Sequence, residues 1–380
     1  MPGIAVSRPI PVRKAPHVTG RQQHTIRSIK IAIGVMALTW IPLAILSWMQ
    51  SRESLRGFGS DYAAQSRLLL VIAVLIIAEP ALIKRLDLIA DNFLNEKLIG
   101  EEDRPRFESV LAKFRHKSTS IVPQIGLLAI ASLIVVSALP YIDRNTFLPW
   151  CYGRGGIESL SPAGSWYLLV SFPVIIYLFL RWIWRQLVWG FFLSSVTRMN
   201  LQTIPAHPDK VAGLGFLETC HREYVPFGFA VGATVAGGVA NRVLHGQRPL
   251  HEYDVVPVFV IVIVIAICAA PLCVFFKPLM EAKRRGIFEY GALANAVGRQ
   301  FEQKWLVENK EAQGALEVQD FSATIDLYSV VANVEQMHMF PFDTGSITRL
   351  AIWSLIPSIP VVLASFGFEA VMKQLIKMLV

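Results

Sequence analysis

The stretch VPVFVIVIVIAICAAPLCVFF, from Val256 to Phe276, contains no charged residue and decides how the chain folds. An α-helix rises about 1.5 Å per residue, so roughly 20 apolar residues cross a hydrocarbon core about 30 Å thick. This stretch has that length and that composition. We therefore predict that it crosses a membrane as a helix.

The composition predicts several such helices. Of the 380 residues, 53% are hydrophobic and only 17% are charged, and the mean hydropathy is +0.47. Soluble domains are about 25% charged. The predicted fold is all-α, a polytopic transmembrane helix bundle of six to seven spans with cytoplasmic helical extensions. The seven candidate stretches are Ile31 to Met49, Leu68 to Ile83, Ile121 to Pro140, Trp166 to Phe192, Tyr224 to Val239, Val256 to Phe276 and Leu350 to Phe368.

The preferred number of spans is seven. The second and fifth stretches are short, and the fifth is rich in glycine. The alternative is therefore six spans, with the fifth or the seventh stretch lying in the membrane interface.

Lys and Arg residues are concentrated in alternate loops. Residues 1–30, 84–120, 194–222 and 277–349 hold 25 of them, while the opposite loops and the tail after Phe368 hold nine. Because cytoplasmic loops carry this excess, the N-terminus is predicted to lie in the cytoplasm and the C-terminus outside. The same distribution accounts for the net charge of +8 through membrane topology, so nucleic acid is not an expected partner and the lipid bilayer is.

The topology divides the chain into four parts. A basic cytoplasmic segment covers residues 1–30, and a transmembrane bundle of about six spans covers 31–276, with a cytoplasmic helical loop at 84–120. A cytoplasmic helical hairpin covers 277–349, and the last span with a short tail covers 350–380.

The cytoplasmic hairpin is predicted to contain two helices. Apolar residues recur at steps of three or four from Tyr290 to Trp305, which indicates an amphipathic helix continuing out of the sixth span. A second helix starts with Asp320 or Ser322 as N-cap and ends before Pro341. A hairpin of this size buries little surface by itself. A homo-oligomer and a cytoplasmic protein partner are therefore the expected associations.

Glu79, followed by Pro80, is an acid inside an apolar run near the cytoplasmic end of the second span. Ionisable residues inside a membrane are costly and mark ion or substrate pathways. A cation or proton site facing the bundle interior is one interpretation. The other is a structural ion pair with Arg181 or Arg185, which the topology places at similar depth.

Two other regions are candidate sites. In the fifth span, Gly228, Gly232 and Gly237 lie on a small-residue face that suits close helix packing or the wall of a narrow pore. Before that span, two prolines and a capping Asp predict a turn leading into a juxtamembrane helix. The alternative is a pH-sensitive or ion-coordinating cytoplasmic vestibule, because histidine titrates near neutrality. Its candidate residues are His207, Asp209, His221 and Glu223.

The C-terminal half resembles a known group of sequences. HPDKVAGLGFL, EYGALANAVGRQFEQKW and DFSATIDLYSVVANVEQMHMFPF are similar to segments of a group of uncharacterised bacterial polytopic inner-membrane proteins. The resemblance implies a bacterial inner-membrane setting and draws attention to His207, Asp209 and Gly213. It implies no activity. This chain departs from the group's pattern at Val211-Ala212-Gly213, where a second glycine is expected.

Enzyme motifs are absent from the sequence. It contains no HExxH, GxSxG, P-loop or GxGxxG pattern, and the four cysteines are scattered, so no catalytic residue, cofactor or metal site is predicted. Two functional hypotheses remain. The first is a channel or transporter for ions or small solutes, with Glu79 and Arg181 along its path. The second is a membrane signalling or assembly component that acts through its cytoplasmic helices.

Overall fold

The structure is a computed structural model that describes residues 18–138, 149–153, 156–245, 249–308 and 319–366. Helices dominate this part of the chain. They are α1 Val18–Gln50, α2 Arg52–Gly59, α3 Tyr62–Gln65, α4 Ile72–Asn95, α5 Arg104–Thr119, α6 Ile121–Ala138, α7 Pro162–Trp166, α8 Phe172–Val196, α9 Thr219–Glu223, α10 Val225–Leu244, α11 Val256–Ala269, α12 Phe276–Glu302, α13 Gln319–Glu335, α14 Thr344–Leu355 and α15 Ile359–Phe366. A short antiparallel pair joins β1 Tyr152–Gly153 to β2 Gly156–Leu160.

Several of these helices are parts of longer ones. π-helical turns at Ser66–Val71 join α3 to α4, and those at Tyr167–Ser171 join α7 to α8. 3₁₀ turns at Ala270–Phe275 join α11 to α12, and those at Ile356–Ser358 join α14 to α15. Such local changes of winding bend a helix without ending it.

Seven helices in the described residues are long and apolar enough to cross a membrane, which confirms the predicted all-α polytopic bundle. Numbered in chain order as spans one to seven, they are Thr25–Gln50, Tyr62–Asn95, Ile121–Ala138, Pro162–Val196, Gly215–Leu244, Leu250–Val307 and Thr344–Ser365. Many of their apolar side chains point outward, as Val122 does with 75% of its surface exposed. An apolar exterior of this kind is stable in lipid rather than in water.

The spans cross in alternating directions. At one end, which we call the short-loop end, Phe58 packs on Trp150 with ring centroids 5.1 Å apart, and Tyr62 approaches His245 at 5.9 Å. At the opposite, long-loop end, the backbone N–H of Asn200 donates to Asp103 Oδ2 at 2.9 Å. All described loops between consecutive spans fall at these ends in the order that a seven-span chain requires.

The long-loop end contains the densest aromatic packing. The ring of Phe93, at the end of span two, lies within 6.3 Å of Phe107, Phe192, Phe216 and Phe275. Helix α5 and spans two, four, five and six thereby share one apolar core. This core holds the long-loop end together around the candidate sites.

The hairpin at the long-loop end consists of α12 and α13, and α12 is the second half of the continuous helix Leu250–Val307, because it follows α11 through the 3₁₀ turns. Its two helices pack at the tip, where the Phe301 and Phe321 rings lie 4.8 Å apart and Lys304 pairs with Asp320. Closer to the start of α12, Lys283 Nζ donates to the Met337 carbonyl at 2.8 Å.

Several element boundaries differ from the sequence prediction. Span two begins at Tyr62 and ends at Asn95, although its apolar run is confined to Leu68 to Ile83, because charged residues continue the helix at its ends. Span seven begins at Thr344 rather than at Leu350. Most of the basic N-terminal segment and the tail after Phe366, with its predicted outside location, lie beyond the described residues.

Candidate functional site

The centre of the candidate site is Glu79, which lies on α4 and faces α8. Arg185 donates from Nε to Glu79 Oε1 at 2.7 Å, and its Nη2 also contacts that oxygen. Arg181, one turn earlier on α8, places Nε 2.7 Å from the same oxygen. The two arginines that the sequence offered as alternative partners therefore share one carboxylate.

The three side chains of the cluster differ in how much of their surface is exposed to solvent. Glu79 and Arg185 are each 5% exposed, whereas the Arg181 side chain keeps 25% of its surface exposed. Arg185 Nη1 also donates to the Ser118 carbonyl at 3.0 Å, which ties the cluster to the end of α5. Two guanidinium groups face one carboxylate, so the cluster carries a surplus positive charge.

Pro80 shapes the helix beside the cluster. A proline inside a helix removes the N–H that would bond to the carbonyl four residues earlier, and this bends the helix. Trp182 donates from Nε1 to the carbonyl of Leu75 at 3.1 Å, one residue before the carbonyl of Ile76 that Pro80 leaves without its helical N–H partner. Span four thus braces span two where the ion cluster lies.

A second polar cluster lies at the short-loop end and was not predicted from the sequence. Asp61 is buried and caps α3 by accepting from the Ala64 N–H at 2.9 Å. It also accepts from Trp150 Nε1 at 3.0 Å and from Asn241 Nδ2 at 2.7 Å. An Asp directly before a helix is a capping signal in the sequence, but its two distant partners are visible only in the fold.

Spans two and four carry a further pair between these clusters. Arg67 Nη1 donates to the Tyr167 hydroxyl at 3.2 Å, at the π-helical turns of both spans. The residue numbers of the contacts between these spans rise together from Arg67 to Glu79, so the spans run parallel. π-helical turns often occur at functional sites.

Asp209 organises the loop before span five. Its Oδ1 accepts from the Val211 and Gly213 N–H groups at 2.9 and 3.1 Å, and Oδ2 accepts from the Gly215 N–H at 2.8 Å. His207 Nδ1 lies 2.8 Å from Oδ1. Burial acts to raise the pKa of Asp209, but the three backbone N–H groups and His207 outweigh it and hold the pKa below its usual value.

The same loop contains left-handed backbone at Lys210, Ala212 and Gly213, with φ of 58°, 58° and 92°. Lys210 and Ala212 thus adopt a backbone conformation that glycine favours. The Lys210 carbonyl accepts from the His338 N–H at 2.7 Å, which joins the loop to the end of the hairpin.

The other two residues of the predicted vestibule lie apart from His207 and Asp209. His221 is buried with its ring 5.7 Å from that of Phe342. Glu223 accepts from Arg85 Nε at 3.1 Å. The four residues therefore fall into three separate sets of contacts, which are the His207–Asp209 pair, His221 with Phe342, and Glu223 with Arg85. Within the described ranges, no group of three or more His, Cys, Asp or Glu side chains is placed to hold a metal ion.

The glycines of span five lie at close helix contacts. A Cβ on Gly232 would fall on the backbone carbonyl of Ser354 in span seven, and one on Gly228 would lie 2.6 Å from Ser354 Oγ. On the other side, a Cβ on Gly237 would lie 2.9 Å from the Tyr62 carbonyl oxygen. All three glycines therefore have a packing role in this structure.

The chain was compared with family models, curated proteins and solved structures, and it matches none of them. Its fold and its site geometry define it as an integral membrane protein with seven apolar helices.

Proposed function

We propose that this integral membrane protein transports ions or small solutes through the interior between spans two and four. The carrying observation is the buried cluster of Glu79, Arg181 and Arg185 on the facing sides of these spans. Charged groups inside a membrane bundle face the interior and mark substrate pathways by default. The Arg67–Tyr167 pair extends the polar contacts between the same two spans toward the short-loop end.

The burial of Glu79 favours a gated transporter over a permanently open pore. A carboxylate paired with two guanidinium groups binds no passing cation until an ion pair opens. The surplus positive charge of the cluster favours an anion, which can take the place of Glu79 beside the partly exposed Arg181. In this proposal, exchange of partners at Arg181 accompanies each transport event.

Flux through purified protein in liposomes tests the proposal. Salt and pH gradients are applied in both directions to wild type, Glu79→Gln and Arg181→Gln, with Arg85→Gln as control for an exposed ion pair. We expect flux in the wild type, altered rate or selectivity in the first two variants, and no change in the control. Absence of flux from folded, inserted wild type rejects transport.

The second candidate function is a signalling or assembly component that acts through the hairpin and a protein partner. The observation that favours it is the exposed apolar surface of the hairpin, where Phe288 is 68% and Ile325 is 63% exposed. Charge reversal at Arg299 and Lys304 tests it. This candidate is supported over transport if a protein partner binds the wild type reproducibly, does not bind the charge-reversed variant, and ion flux is the same in both.

We further propose a bacterial inner-membrane location, a cytoplasmic long-loop end and assembly as a homo-oligomer. The excess of Lys and Arg in the loops of the long-loop end supports the orientation. The resemblance described above supports the location. The exposed hairpin surface supports an additional contact between subunits.

A further inference from the structure

An apolar crevice lies between spans five, six and seven, in the half of the bundle nearest the short-loop end. Its volume is about 160 Å³. Most of its lining is apolar, with Gly232, Ala236, Val239, Val260, Leu355 and Val361 among its wall residues. An apolar cavity of about 150 Å³ is large enough to bind a benzene-sized molecule. The crevice therefore has room for part of an apolar chain.

The surfaces next to the crevice face lipid. On α11, which forms one wall, Val258, Phe259 and Val262 have exposed side chains. On α15, which forms another, Ile359 and Val362 are exposed. Apolar surface of this kind in a membrane span is covered by acyl chains. The crevice is thus continuous with a surface that lipid already covers.

Polar groups lie where the crevice meets the short-loop end. Tyr253 and Asp254 both line it. The Tyr253 hydroxyl oxygen is buried and has no hydrogen-bond partner among the described residues, and Asp254 is exposed. Arg242 follows Val239 by three residues on α10, a spacing that puts both on one helix face. One end of the crevice is therefore apolar, the other is lined by a hydroxyl and a carboxylate, and the exposed Arg242 lies one helical turn beyond the wall residue Val239.

We propose that this crevice binds a phosphatidylethanolamine molecule. One acyl chain occupies the crevice beside Ala236, the headgroup ammonium donates to Asp254, and the phosphate contacts Arg242. Tyr253 supplies its hydroxyl to the glycerol or phosphate oxygens. This binding site is independent of transport and requires no movement of the Glu79 cluster.

Charge complementarity selects this headgroup. A primary ammonium group has N–H donors and forms a charge-assisted hydrogen bond with a carboxylate. The quaternary ammonium of phosphatidylcholine has no N–H group, so it gains only charge attraction at Asp254. The headgroup of phosphatidylglycerol has no positively charged group to pair with Asp254. We expect about a tenfold preference for phosphatidylethanolamine over phosphatidylcholine, which corresponds to ~1.4 kcal/mol.

Native mass spectrometry tests the proposal on the full chain extracted from nanodiscs that contain equal amounts of phosphatidylethanolamine and phosphatidylcholine. Wild type is expected to retain phosphatidylethanolamine. Ala236→Phe fills the crevice and should lose the retained lipid, while Val262→Phe on the lipid-facing side of α11 should keep it. Asp254→Asn should keep a bound lipid but lose the preference between the two headgroups.

A second, smaller substitution tests the crevice in case Ala236→Phe does not fold. Ser358→Leu also narrows the crevice, and its folding is checked by thermal unfolding before lipid is measured. Equal retention of lipid in wild type and in folded crevice variants would overturn the site. Equal binding of both headgroups by wild type would overturn the role of Asp254. Crosslinking of the crevice to a second copy or to the chain's own C-terminal residues would replace the lipid with a protein occupant.

Discussion

Arg185 reaches Glu79 with two of its nitrogens and uses the third to bond to the Ser118 carbonyl. The guanidinium thus joins span four both to span two and to the end of α5. Each of its three guanidinium nitrogens has a partner although the side chain is almost fully buried. Such complete pairing is what allows a charge to remain inside a bundle.

Replacing Glu79 with glutamine is expected to destabilise the fold. The change leaves Arg185 and Arg181 without their counter-charge, and removal of one partner from a buried ion pair costs about 3–5 kcal/mol. Thermal unfolding in detergent measures the loss. Glu223→Gln breaks the exposed pair with Arg85 and should cost less than about 1 kcal/mol. Equal melting temperatures for the two variants would refute a structural role of the cluster.

Alanine substitution at two glycines of α10 should have different effects on the stability of the fold. Gly232→Ala places a methyl group on the backbone carbonyl of Ser354, which cannot rotate away, so spans five and seven must separate. Gly238→Ala meets nothing within 4 Å and should be neutral or stabilising by up to about 1 kcal/mol, because alanine favours helix. Folded yield and melting temperature distinguish them. Similar behaviour of both variants would contradict the observed contact of α10 with span seven.

Lys97 occupies a position that glycine would fill better. It follows the end of α4 with φ of 54°; its own N–H donates to the Leu94 carbonyl, and the Leu98 N–H donates to the Phe93 carbonyl. This is a helix ending in which glycine avoids the strain of a left-handed residue. Lys97→Gly should therefore raise stability by about 1 kcal/mol. Lys97→Ala, which keeps the strain, serves as the control and should bring no such gain.

The contribution of Asp209 to the stability of the fold should decrease in acid. Because the folded-state pKa of Asp209 is depressed, its carboxylate stabilises the fold above the unfolded pKa of about 3.9, and this contribution disappears as pH falls through the lowered pKa. Asp209→Asn should cost about 2 kcal/mol at neutral pH, and the difference from wild type should shrink in acid. Unfolding measured across pH checks this, with exposed Asp326→Asn as the control. A pH-independent difference would mean that the charge of Asp209 is not what stabilises the loop.

Labelling of single cysteines decides the orientation of the chain. In a background without native cysteines, Arg56→Cys lies at the short-loop end and Lys113→Cys at the long-loop end. An impermeant maleimide should label position 56 in intact cells and position 113 only after permeabilisation. The reverse pattern would invert the proposed topology.

The spans were predictable because an apolar run of sufficient length has few alternatives to crossing a membrane. The residues at which the spans begin and end were less predictable. Span two continues through Lys84 and Asp87, since a helix keeps its own hydrogen bonds after it leaves the lipid. Loss of hydropathy therefore marks the membrane boundary rather than the end of the helix.

The site was predictable only in part. The cost of a charge in lipid singled out Glu79 and its two arginines, whose depth followed from the topology. Asp61 was missed because its partners Trp150 and Asn241 come from distant parts of the chain. The burial of His221 beside Phe342 likewise depends on how the last span returns to the bundle. Sequence spacing alone contains no information about such contacts.

Because α11 continues into α12, α12 can act as a lever about the 3₁₀ turns that join them. α12 contains 27 residues, so it reaches about 40 Å beyond the 3₁₀ turns at Ala270–Phe275. A tilt of about 10° at these turns would move the hairpin tip by about 7 Å, as simple leverage over the length of the helix. By the same geometry, a force applied at the hairpin tip would act on α11 through a lever arm of about 40 Å.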